Sequence, residues 1–167
     1  MDLVARCAVA SLLVSHAVRR DAEFWAVLLG PPRPPRLVRF SGAEIRSLNP
    51  DERSTAALLR KAVTEEGLAE RSVHPGVYGS GRGLRDVLEA LPPPFVLLGE
   101  SGGDIRTALL ARDVSFILSD HKDFTAEERE LVQRKATSTV SVGPCSLQAD
   151  QVITIVHNEL DRRRSSG

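Results

Sequence analysis

Three short apolar runs, at residues 24–29, 95–98 and 115–118, constrain this chain more than any other feature. Each stops at small or polar residues: Gly30, Gly99 and Ser119-Asp120. Such a run is too short for a helix and too continuous for a strand with one wet face. It suits an interior strand of a parallel sheet covered by helices on both sides. A fourth strand at 139–142 ends at Gly143-Pro144, and residues 37–40, where apolar and basic side chains alternate, predict a half-exposed edge strand.

Helix signals lie between these strands. Asn49 is placed to cap, Pro50 suits the first helical position, and Glu52 stands three residues after the cap, which predicts a helix over 50–66. Thr125 and Glu128 have the spacing of a capping box for a helix over 126–136. Residues 3–18 predict a buried helix, and residues 84–91 a short one stopped by Pro92, Pro93 and Pro94. In the tail, 152–156 is β-branched, yet Leu147, Val152, Ile155, Val156 and Leu160 fall near one helical face, so a helix is expected. Pro31, Pro32, Pro34 and Pro35 predict a stiff loop carrying Arg33 and Arg36. Pro75-Gly76 with Gly79, Gly81 and Gly83 predicts a mobile connection. Strands alternating with helices give an α/β fold with a mostly parallel sheet and helices on both faces. The 167 residues suit one domain, with 162–167 as a frayed tail.

Composition narrows the function classes. No apolar stretch is long enough to span a bilayer, and Arg6 and Ser15-His16 interrupt 3–18 where a secretory signal would be continuous. A cytoplasmic protein with no membrane partner is expected. Cys7 and Cys145 are the only cysteines, and His16, His74, His121 and His157 are scattered, so neither a disulfide framework nor a metal site is expected. The formal net charge is zero, which gives no global electrostatic argument for nucleic acid.

Ligands of open parallel sheets bind outside the carboxyl ends of the strands. Here those ends are Leu98-Gly99, Ser119-Asp120 and Val142-Gly143-Pro144, where small residues let a ligand approach the backbone. An adenosine-bearing cofactor suits such ends, as does an ordinary turn.

The run Leu48-Asn49-Pro50-Asp51-Glu52-Arg53-Ser54-Thr55-Ala56-Ala57-Leu58-Leu59-Arg60-Lys61-Ala62 closely resembles a signature of the archaeal tRNA pseudouridine N1-methyltransferases. Val142-Gly143-Pro144 with Ser146-Leu147, and Ile155-Val156-His157-Asn158-Glu159-Leu160-Asp161, resemble that family's C-terminal signature. Leu13, Ser15-His16, Val18-Arg19 and Val27-Leu28-Leu29-Gly30 match as well, so the resemblance covers nearly the whole chain in order. It places the chain among the knotted SPOUT methyltransferases. It implies a C-terminal trefoil knot, a homodimer, S-adenosyl-L-methionine as cofactor, and methylation of N1 of pseudouridine in the T-loop of tRNA. Carried over by position, the cofactor pocket comprises Leu98, Ser119, Val142, Gly143, Pro144, Cys145, Ser146, Leu147 and Val152.

Departures from the pattern go with it. Family members begin with an interior strand and a loop before the position matching Asp2, so the resemblance implies a mis-called start at Met1, the favoured reading, or a rearranged fold, or a decayed protein. Ser119 stands where glycine is expected, Cys145 where lysine is, and Val152 where cysteine is. These departures motivate an alternative, a non-catalytic RNA-binding or dimerisation module of the same fold. A further alternative is a methyltransferase acting on a ribosomal pseudouridine. Asp104 and Asp120 sit at strand ends as either proton acceptors or turn residues, and no base is assigned. Arg19, Arg20, Arg53 and Arg60 are candidate RNA phosphate contacts, with Arg53 first. The alternative for Arg53 is a salt bridge that orients the dimer. Arg33, Arg36 and Arg39 read as a solvated face, His121 and His157 as hydrogen-bonded structural residues, and Cys145 as a small buried filler or a reactive thiol.

Overall fold

The computed structural model describes residues 2–31, 33–120 and 123–165. The expectations for Pro32 and His121, for Met1, and for the last two residues of the tail lie outside the described residues. The chain divides into two compact units, Met1–Gly83 and Leu84–Gly167.

The first unit begins with helix α1 (Asp2–Leu12), shorter than expected, because residues 13–18 turn back as a small hairpin of β1 (Leu13–Val14) and β2 (Ala17–Val18). His16 adopts a φ of 64° in its turn. Strands β3 (Glu23–Leu28), β4 (Arg36–Ser41), β5 (Arg71–His74) and β6 (Val77–Ser80) form an antiparallel sheet in the order β3-β4-β6-β5. Helix α2 (Glu52–Val63) lies between β4 and β5 in sequence. Ala5, Ala8 and Leu12 of α1, Ala56, Leu59 and Ala62 of α2, and Val38, Phe40 and Val77 of the sheet bury into one core. Phe40 is completely buried, and burying such a side chain contributes about 1.5–3 kcal/mol.

Four expectations are corrected here. The run at 24–29 is an edge strand, since among the described residues β3 pairs only with β4; its partial burial comes from Phe24 and Leu28 packing on the core. Strand β4 is central, not an edge. Arg39, expected on a solvated face, is 14% exposed, bonded to Glu70 (2.9 and 2.7 Å) and Glu23 (3.0 Å), and stacked 4.2 Å from the Tyr78 ring centroid and 5.5 Å from that of Trp25. That pairing, Glu70 first, raises the guanidinium's pKa. The glycine-rich connection is a hairpin instead: Gly76 takes the positive φ of its turn, and a Cβ on Gly79 would stand 2.1 Å from the Ala62 carbonyl, so glycine there lets β6 lie against α2.

The second unit is the parallel α/β body. Strand β7 (Phe95–Asp104) lies between β8 (Ser115–Ile117) and β9 (Ala136–Ser141), both parallel to it. Alternation along β7 sends Phe95 and Leu97 to one face and Val96 and Leu98 to the other. Helices α3 (Leu84–Ala90) and α4 (Ala126–Lys135) cover the first face through Leu88, Leu131 and Val132. Helix α5 (Ala149–Ser165) covers the second through Val152, Val156 and Leu160. Helices on both faces of a parallel sheet are thus found in this unit, whereas the first unit is antiparallel, and the mostly parallel reading of the whole chain is corrected. Helix α5 runs to Ser165, so residues 162–165 are helical and not a frayed tail. No helix among the described residues is long and apolar enough to cross a membrane.

Candidate cofactor site and candidate phosphate-contact arginines

The carboxyl ends of β8, β7 and β9 come together because the strands are parallel and in register, Leu97 standing opposite both Ile117 and Thr139. Strand β7 is interrupted just past this point. Leu98 and Gly103 both pair with Val140, so residues 99–102 bulge out of the ladder before Asp104 pairs with Ser141. A Cβ on Gly102 would stand 2.5 Å from the Val140 carbonyl carbon, and this close approach requires glycine.

Around these ends the structure gathers three of the predicted cofactor residues. Leu98, Val142 and Val152 are half-buried against one cluster of Val96, Ile105, Val140 and Val156. Gly143 follows Val142, held by a local pair of bonds: Ser141 Oγ donates to the Gly143 carbonyl (2.9 Å) and accepts from its N–H (3.3 Å). Beyond it Pro144, Cys145, Ser146 and Leu147 are exposed, and among the described residues nothing accepts from the N–H groups of Cys145, Ser146 and Leu147. Cys145 is therefore not a buried filler. The loop closes at Gln148, whose N–H donates to Gln151 Oε1 (3.0 Å) and whose carbonyl accepts from Val152 N–H (3.0 Å). Nothing stands within 4 Å of a Cβ built on Gly103 or Gly143, so the backbone is open there. Half-buried apolar side chains beside open backbone and available N–H donors fit an adenosyl group, which has an apolar ring face and a hydrogen-bonding edge.

Ser119 follows β8 at the same end of the sheet. Its hydroxyl donates to Asp123 Oδ1 at 3.4 Å. Asp123 accepts from Phe124 N–H (2.8 Å) and is paired with Arg129; the backbone bond first, then the ion pair, lowers its pKa. The serine in place of glycine is thus tied to the start of the α4 segment.

Asp104 is the last residue of β7, and its carbonyl starts the turn that follows. Its carboxylate accepts from Arg106 N–H (2.9 Å), Nε (3.0 Å) and Nη2 (2.6 Å), and its carbonyl accepts from Thr107 and Ala108. The Arg106 side chain, with its N–H, holds the carboxyl well below the usual range, to about 2, which makes it a weak proton acceptor. Asp120 is exposed.

The four RNA-facing candidates all belong to the first unit, and the structure divides them. Arg20 donates through Nη1 to the carbonyls of Gly42 (2.9 Å) and Ile45 (2.7 Å), so it ties down the loop after β4. Arg19 is half-buried, with its N–H bonded to the Leu12 carbonyl at 2.7 Å. Arg53 and Arg60 are exposed on α2, two helical turns apart on one side, and their side chains have no partner among the described residues. An intrachain salt bridge at Arg53 is absent among those residues.

A groove of about 530 Å³, lined by Arg85, Leu88, Glu89, Leu131, Arg134 and Lys135, lies against α3 and α4. None of the predicted site residues lines it. Sequence reasoning missed Ile105, Ala108 and Leu110, which complete the apolar side of the candidate site; their signal is weak, because they sit in a turn-rich stretch with no period.

Comparison with known proteins agrees with the fold and extends it. A family model described as "Putative SAM-dependent RNA methyltransferase" matches residues 1–165. The chain is 45% identical over 166 residues to the tRNA (pseudouridine(54)-N(1))-methyltransferase of Methanocella arvoryzae, covering 98% of this chain and 85% of the relative. It is 46% identical to the protein of the same name from Methanocorpusculum labreanum, covering 98% and 84%. The crystal structure of Archaeoglobus fulgidus Nep1 bound to S-adenosylhomocysteine superposes with a TM-score of 0.57 at 20% identity, covering 98% of this chain and 71% of that one; this likeness concerns the fold alone. The family match over almost the full length, on a parallel sheet whose carboxyl ends present open backbone, establishes that the chain belongs to the SAM-dependent RNA methyltransferase family that includes the archaeal tRNA pseudouridine N1-methyltransferases.

Proposed function

We propose that this protein transfers a methyl group from S-adenosyl-L-methionine to N1 of pseudouridine in the T-loop of tRNA. The observation that carries the reading is identity of 45% along 98% of the chain with a relative that bears that activity in its name. The local geometry supports it: Leu98, Val142 and Val152 share one cluster beside the open backbone of Gly143. The chain acts as a single methyltransferase domain in this reading, with a C-terminal trefoil knot, working as a cytoplasmic homodimer.

The cofactor supplies a methyl already activated on a sulfonium sulfur. What remains for the protein is in-line placement and exclusion of water. Leu98, Val142 and Val152 offer the apolar wall, and the N–H groups of Cys145, Ser146 and Leu147 read the polar edge. Ser119 narrows the approach at β8, where its hydroxyl faces Asp123. Bound there, S-adenosyl-L-methionine would supply the methyl and leave as S-adenosylhomocysteine, and the N1 proton would have to pass to an acceptor. Asp104, held ionised by Arg106, is not that acceptor in this reading. Arg53 and Arg60 contact phosphates of the T-arm, whose target base lies in a loop where it can leave its stack.

The test uses labelled S-adenosylmethionine and two T-arm RNAs identical except for pseudouridine or uridine at the target. Label entering only the pseudouridine RNA is expected. Label in neither, with a folded chain, overturns the reading and favours a non-catalytic module; label in a ribosomal pseudouridine hairpin alone moves the substrate, not the chemistry.

A further inference from the structure

The last turn of α5 carries an arginine that reaches across to the turn after β7. Arg163 uses all three of its side-chain nitrogens: Nε donates to Glu159 Oε1 (2.8 Å), Nη1 to the Ala108 carbonyl (2.9 Å) and Nη2 to the Ile105 carbonyl (2.6 Å). The Arg163 side chain is 30% exposed and that of Glu159 14%, so the contact is only partly screened. Ile105 and Ala108 belong to the turn that follows β7, where the Ala108 N–H bonds back to Asp104 (3.2 Å). The Ile105 carbonyl also accepts from the Ala108 N–H (3.3 Å), and the guanidinium adds a charge-assisted bond to it and another to the Ala108 carbonyl, so both ends of the turn are held by one side chain.

The path continues inward. Ile105 is 1% exposed, and its N–H donates to the Ser141 carbonyl at 2.9 Å. The Ser141 hydroxyl is bonded to both the N–H and the carbonyl of Gly143. Ala108 and Leu110 pack on the same cluster as Leu98, Val142 and Val152. A continuous set of hydrogen bonds therefore links the last turn of α5, through Ile105 and Ser141, to the first residue of the open loop.

We propose that Arg163 is a positioning residue for methyl transfer: it fixes the 104–108 turn against the end of β9 and so holds residues 143–147 in cofactor-binding shape. This rests on the functional reading above. Glu159 orients the guanidinium, and its carboxylate keeps the charge of Arg163 compensated.

The experiment compares the full-length wild type with Arg163→Gln and Arg163→Lys. S-adenosylhomocysteine binding is measured by calorimetry, and amide hydrogen exchange is followed at Ile105 and Gly143 in the ligand-free protein. Arg163→Gln is expected to raise the Kd for S-adenosylhomocysteine about tenfold and to speed exchange at both amides. The KM for S-adenosylmethionine follows that Kd, while the KM for T-arm RNA stays within about twofold. Arg163→Lys, which keeps the charge but loses the fork, falls between the two, and it carries the test if the glutamine variant does not fold. Arg134→Gln, which removes an exposed pair with Glu130 on α4, leaves every readout unchanged. Unchanged binding and exchange in folded Arg163 variants, beside a wild type that binds, overturn this proposal alone. A wild type that binds no S-adenosylhomocysteine overturns the functional reading and this proposal with it.

Discussion

Gly102 and Asp104, two residues apart at the end of β7, show how much the candidate site owes to single side chains. Added bulk at Gly102 meets the Val140 backbone at 2.5–2.6 Å, with no flexible atom to give way. Gly102→Ala is therefore expected to cost about 1–3 kcal/mol of stability, seen as a lower urea midpoint at unchanged m, and to weaken cofactor binding, because Gly103 and Gly143 shift with it. At Asp104 the depressed pKa sets the sign of a pH effect. Its pairing with Arg106 stabilises the fold fully above the ordinary value of 3.8, and that contribution is lost as pH falls through about 2. Asp104→Asn is expected to lower Tm at neutral pH, and the gap to wild type should close in strong acid, as thermal melts across pH will show. Because the carboxyl is already ionised throughout the neutral range, it should add no limb to the pH profile of kcat there. None of this is legible in the sequence, where Asp104 is only an acid at a strand end; its neighbour Arg106 acquires meaning only when the turn brings the two side chains face to face.

At the level of elements, helix starts were the most legible feature, yet the start of α2 was read two residues early. Asp51, not Asn49, caps it: Asp51 Oδ1 accepts from Ser54 N–H at 2.8 Å and Oδ2 from the Ser54 hydroxyl at 2.7 Å, which lowers its pKa. Asp51→Ala should cost about 1 kcal/mol, whereas Asn49→Ala should stay within about 0.5 kcal/mol; denaturant titration of the two variants separates the assignments. The capping box of Thr125 and Glu128 was read correctly, with the Glu128 N–H to Thr125 Oγ1 bond at 3.2 Å and the return bond at 3.0 Å. Caps are local, so a few residues contain all the information. Strand position is not local. The alternation in β4 looked like an edge because Arg36 and Arg39 looked solvated, and only the carboxylates of Glu70 and Glu23, brought in from other segments, make Arg39 an interior-sheet residue.

For the whole molecule, the division into two units separates the candidate roles: every predicted cofactor residue lies in the second and every predicted RNA contact in the first. The free pair Arg53 and Arg60 and the committed Arg20 should behave differently. Replacing Arg53 and Arg60 with alanine is expected to weaken T-arm RNA binding and flatten the salt dependence of log K by a slope of about 1–2, with Tm unchanged. Arg20→Ala should instead lower Tm, since it strips two carbonyls of a donor. Filter binding across a salt series, beside thermal melts, checks both. The sequence by itself determined the family, the strand ends where a cofactor is read, and the helices with strong caps, because these depend on short runs of residues. Only the tertiary structure decided that the first sheet is antiparallel, that Arg39 is half-buried while Arg53 is open, and that the supposed frayed tail anchors β7 through Arg163. Those outcomes depend on which distant groups meet, and no local pattern carries that information.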